Sequence, residues 1–137
     1  MGKYFWSYVV TALVFCALDF VWLTMVALKF YQGQVGPLLL EKPNLVPAAI
    51  FYALYIVGLV VFCVVPAVAA QSWQKAALLG ALLGLIAYAT YDLSNLATLN
   101  GWTLPLSLVD ITWGAVASAA ACTAGYFGTN FIVGLME

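Results

Sequence analysis

The sequence predicts an all-α integral membrane protein, a four-helix bundle running up-down-up-down, and three observations predict it. Of 137 residues, 66% are hydrophobic and 7% charged, with a mean hydropathy of +1.09; a soluble domain of this size would aggregate with so much apolar surface. The apolar residues fall into four runs, about 4–30, 45–70, 75–98 and 106–135, each long enough for a tilted span. Between the runs stand clusters of Gly, Pro, Asn, Gln and charge that read as links. The expectation is a single transmembrane domain over 1–137 with both termini on one side.

The first run follows Lys3 and carries Asp19, with Phe15, Trp22 and Met25 or Val26 beside it at helical spacing. It is too long for a signal-peptide core and no small-residue cleavage motif closes it, so it reads as a retained span. Residues 31–44 hold two Gly, two Pro and the Glu41-Lys42 pair around an apolar patch from Val35 to Leu40. This predicts a loop with a brief interfacial helix or re-entrant turn, either a hydrophobic turn lying on the headgroups or a lid over one end.

The second run starts after Asn44, a good N-cap, with Pro47 in its first turn. Tyr52, Tyr55, Gly58 and Phe62 line one side by spacing, and Pro66 is expected to kink or end the helix. Gln71-Ser72-Trp73-Gln74-Lys75 makes a short antiparallel turn at a membrane interface. In the third run Gly80 and Gly84 form G-x-x-x-G, which lets a neighbouring backbone come close. Asn100-Gly101 and Pro105 mark the last link. The fourth run carries Asp110 and Trp113, then a packing seam of Gly114, Ala117 or Ser118, Ala121, Gly125 and Gly128. Asp110 suits either a helix dipole or a functional role.

Residues 84–102 hold the richest polar pattern. At about 100° per residue, Gly84, Tyr88, Tyr91, Asp92 and Asn95 share one helix face, laying a polar stripe on a membrane-type helix. Asp at the centre of such a helix costs about 2.5–3.5 kcal/mol on insertion scales, so it faces protein or water rather than lipid. Counted from the two links on their shared side, Asp19, Asp92 and Asp110 all lie within roughly 16 Å of that face at about 1.5 Å per residue. Such one-sided enrichment predicts a pocket or half-channel there. Asp19 has no cation within a helical turn or two, and this predicts a neutral carboxyl that donates to a Tyr or a backbone carbonyl.

Composition also excludes functions. Four Lys against five acidic residues, net −1, point neither to nucleic acid nor to anionic lipid, and their placement leaves membrane orientation open. His and Arg are absent, which removes histidine-ligated metals and haem, Ser-His triads and arginine clamps; no metal or cofactor is expected. Cys16, Cys63 and Cys122 sit singly in separate apolar runs and read as buried apolar fillers.

The motifs D-F-V-W-L at 19–23, P-A-A-I-F-Y-A-L-Y-I-V-G-L at 47–59, Y-A-T-Y-D-L-S-N-L-A-T-L-N-G-W at 88–102 and V-D-I-T-W-G at 109–114 together resemble a bacterial family of small membrane proteins, domain-of-unknown-function family 2177. The resemblance covers nearly the whole chain. It implies a multi-pass protein of the bacterial inner membrane with four spans, and it carries over no catalytic residues.

Three functions stay open on these residues. In the first, the bundle binds or passes a small apolar or cationic ligand, with proton coupling as an option. Asp19, Asp92 and Asp110 are then the protonatable or cation-pairing groups, Asn95 is an orienting amide, and Trp22, Tyr88, Tyr91, Trp102 and Trp113 are walls. In the second, the protein is an accessory or assembly subunit, partnered by another membrane protein or its own copies, and the carboxylates staple helices. In the third, it modifies lipids by carboxylate acid/base chemistry. An enclosed cavity touching at least two of the three Asp separates the first from the second.

Overall fold

The computed structural model describes residues 2–39, 42 and 44–136. Four helices in it are long and apolar enough to cross a membrane: α1 (Gly2–Leu38), α2 (Leu45–Ala70), α3 (Trp73–Thr98) and α4 (Leu104–Met136). Chain neighbours pack side by side and α4 closes back onto α1, giving the up-down-up-down bundle. A methyl placed on Gly2 would lie 3.9 Å from Met136, so the two ends adjoin; at the opposite end Thr103 donates to Gln34 at 2.5 Å, joining the α3–α4 link to α1.

The ends of the helices follow from local chemistry. Asn44 caps α2 by accepting from the Val46 amide, Ser72 caps α3 by accepting from Lys75, and Thr103 caps α4 by accepting from Leu106. The α2–α3 hairpin turns through Gln71, in the left-handed region at φ 53°, with its amide bonded to Val68. Gly101, at φ +85°, supplies the turn between α3 and α4 that other residues rarely adopt.

Three expectations change. Residues 31–35 continue α1 as regular helix, and a 3₁₀ turn at Gly36–Leu38 ends it, where a loop was expected. Gly33 alone does not break a helix, and the first real obstacle is Gly36-Pro37. Leu40, Glu41 and Pro43, part of the expected lid, lie outside the described residues, as does Glu137. Pro66 neither ends nor interrupts α2, because a wide π turn at Val60–Val64 precedes it and makes room for its ring and missing N–H. Asp110 lies past the first turn of α4, so a capping role falls away.

A second π turn, Leu23–Ala27, follows Asp19. Its extra residue advances the helical register by one: Ala27 turns inward and is fully buried, while Met25 and Val26, expected beside Asp19, face outward. On α2 the inward face is Tyr55, Leu59, Cys63, Val64 and Ala67, with Phe62 outside. A helix that is apolar all round has no periodicity to mark its buried side.

Packing is tight wherever glycine permits it. A methyl on Gly80 would sit 2.7 Å from the Ser118 carbonyl oxygen, and one on Gly84 would overlap the Gly114 carbonyl, so α3 and α4 touch backbone to backbone. Further along α4, Gly125 faces Thr11 and Val64, and Gly128 faces Val10. In this half Ser7 pairs with Thr129 at 2.7 Å and, nearer the middle, Tyr55 with Ser118 at 2.6 Å, while the buried Thr11 hydroxyl has no partner among the described residues. Cys63 and Cys122 are buried in the core, whereas Cys16 is exposed on the outer surface of α1, contrary to its reading as a buried filler.

The other half is looser. Residues 60–70 of α2 pack closely on α3 and α4, but the backbone of Leu45–Leu59 stands off from both and leans on α1. Long aromatic side chains bridge the space that results.

Candidate functional site

That space is a cavity of about 380 Å³ touched by all three aspartates of the helices. The volume lies within the usual range for small-molecule pockets. From α3 it is lined by Ala87, Tyr88, Tyr91 and Asp92, and from α4 by Leu106 and Asp110. Asp19, Trp22 and Leu23 face it from the first part of α1, Tyr31 and Val35 from the last part, and Phe51 and Tyr52 from α2. Trp102 closes the end nearest the α3–α4 link.

The three carboxyls have different surroundings. Asp19, 5% exposed, accepts from the Tyr52 hydroxyl and from Trp113 Nε1 at 3.1 Å. It is therefore an acceptor between two donors, not the donor expected from its isolation along the sequence, because those donors come from α2 and α4. Asp110 accepts from the Tyr31 hydroxyl through Oδ1. Asp92 is fully buried, yet both of its carboxylate oxygens lack a hydrogen-bond partner among the described residues. It lines the same cavity as Asp110, across the α3–α4 seam. Burying a carboxylate without donors costs several kcal/mol, and the fold tolerates that where the group takes up a proton or where something else pairs with it.

The aromatic walls are held from behind. Trp22 and Trp113 stack with their rings 4.5 Å apart and 4° from parallel, so Trp113 supports the wall and orients Asp19 without lining the cavity itself. Tyr91 stands at the rim, half outside, with its ring edge-on to Trp102 at 5.6 Å. Trp102 is fixed in turn by donating Nε1 to Ser107 at 3.1 Å.

Of the nine residues singled out from the sequence, the structure brings seven to the cavity and places Trp113 directly behind it. Asn95 is the exception. It shares the helical face of Tyr88 but lies about two turns nearer the link and does not line the cavity. Asp19 also sits deeper than its expected depth: nineteen residues of α1, about 28 Å of helix, separate it from Leu38. Its level in the cavity is set instead by Tyr52, near the start of α2. Tyr31, Val35, Phe51 and Leu106 belong to the lining and were not singled out. The absence of a helix breaker before Gly36 was the one sequence signal for Tyr31 and Val35. Among the described residues, no three carboxylates or thiols converge tightly enough to hold a metal ion.

A polytopic helical membrane protein with an aromatic, carboxylate-bearing cavity in one half of its bundle is the class that this fold and site define. The family described as "Predicted membrane protein (DUF2177)" matches residues 4–127, and the chain belongs to that family. No curated protein and no solved structure matches it.

Proposed function

We propose that this protein binds a small, largely apolar ligand carrying a positive charge in the cavity of its link-side half. The observation that carries the reading is Asp92, fully buried at the cavity wall with neither carboxylate oxygen paired. Asp19 accepts through both oxygens and Asp110 through one, so Asp92 is the carboxyl with the most capacity left for a ligand. Asp92 and Asp110 line one cavity, and two carboxyls in an apolar surround can share a proton or hold a cation between them, which supports exchange of one for the other and a proton-coupled passage of the ligand. Trp22, Tyr88, Tyr91 and Trp102 supply faces that suit an organic cation. Helical spans of this kind also support placement in the bacterial inner membrane.

The test is calorimetric titration of the purified protein, in nanodiscs of zwitterionic lipid, with tetramethylammonium, together with native mass spectrometry of co-purified molecules. Saturable binding, weakened about 10- to 100-fold in Asp92→Asn, is expected from the loss of one charged partner. Absence of saturable binding, with no small molecule carried through purification, overturns the reading.

A further inference from the structure

We propose that the ligand reaches the cavity sideways, from the hydrocarbon of the bilayer through the gap between α2 and α3, and is therefore an amphiphile: one cationic head on an alkyl or acyl tail. This rests on the reading that Asp92 holds the positive charge.

Two separate features carry it. Among the described residues, the end of the cavity toward the water is crossed by the last part of α1, with the lining residue Leu39 41% exposed at its tip. After its π turn α1 runs on to Leu38, and this last part is tied across the α3–α4 link by Tyr31 to Asp110 and by Thr103 to Gln34, with Val35 2% exposed beneath it. Leu38 completes the cover over the turn, 4.0 Å from where a methyl on Gly101 would stand.

The side is open in the same half. The backbone of Leu45–Leu59 stands off from α3, whereas residues 60–70 pack against it. The lining residues on the two edges of this gap, Phe51 and Tyr91, are 45% and 57% exposed on a surface that faces lipid. Ala87 lines the cavity from α3 with only a methyl group. The carboxyls share the cavity with apolar Phe51, Ala87 and Leu106, a lining that suits a head at Asp92 with its tail pointing outward between the helices. Three carboxyls at the inner end exclude lipids whose heads carry a phosphate, which narrows the class to amines and quaternary ammonium groups.

The experiment uses a dodecyl trimethylammonium probe with a diazirine midway along its tail, irradiated with the full-length protein in nanodiscs and mapped by peptide mass spectrometry. Adducts are expected on residues 51–55 and 87–91. They should fall about tenfold in Asp92→Asn and be suppressed in the wild type by excess tetramethylammonium, a control independent of whether the variant folds. Adducts concentrated on residues 34–39 and 99–103, with the same competition, would show a route from the water and overturn the lateral one while leaving the pocket intact. Adducts that neither Asp92→Asn nor tetramethylammonium reduces would be ordinary lipid contact, and would overturn both the route and the pocket.

Discussion

The ring of Tyr88 lies directly on Gly114, so closely that a methyl there would overlap its ring carbons. One glycine thus sets two things: the α3–α4 approach through Gly84 and the position of a cavity wall. Gly114→Ala is expected to destabilise the protein by about 1–3 kcal/mol through overpacking and to shift Tyr88 into the cavity. Thermal unfolding of Gly114→Ala, Tyr88→Ala and the double variant checks this. Strict additivity would show that the two residues do not press on each other.

Asp92 and Asn95 should separate. Asp92→Asn leaves the fold intact, or firmer, because it replaces a buried carboxyl that no donor pairs, and it weakens cation binding about 10- to 100-fold. Asn95→Ala, outside the lining, should change binding less than about twofold. Equal losses of binding in the two variants would return Asn95 to the site.

Asp19 is a staple as well as a wall. Tyr52→Phe and Trp113→Phe each remove one donor and are expected to cost about 0.6–2 kcal/mol, as interhelical bonds in membranes do. Asp19→Leu, which leaves both donors unpaired, should cost more than either. Unfolding midpoints in a mild detergent series measure the order; a stability gain in Asp19→Leu would contradict it.

Thr129→Val breaks the pair with Ser7 at the far end of the bundle. A loss of about 0.6 kcal/mol in stability, with unchanged affinity for tetramethylammonium, is expected. Titration and thermal unfolding on one preparation check both halves. Weakened binding would mean that the two ends of the bundle are coupled.

Membrane topology has a direct readout. Gly2 and Asn100 are both exposed and lie at opposite ends of the bundle. Cysteines placed there in a chain lacking Cys16, Cys63 and Cys122 should react with a membrane-impermeant maleimide from opposite sides. Equal reactivity from one side would contradict four spans.

The sequence alone determined the four spans, the cap at Asn44, the Gly80-Gly84 seam, and the presence of Asp92 and Asp110 in one half of the bundle. These follow from chemistry local to a turn or two of helix, or from counting residues along a helix. Only the tertiary structure decided which face of α2 is inside, how the π turns at Leu23–Ala27 and Val60–Val64 shift that face, and that α1 continues far enough for Tyr31 to reach Asp110. It also decided which carboxyl is left without donors. Tyr52 lies 33 residues from Asp19 and Trp113 lies 94 away, and apolar helices without periodicity carry no record of which residue faces which across the bundle.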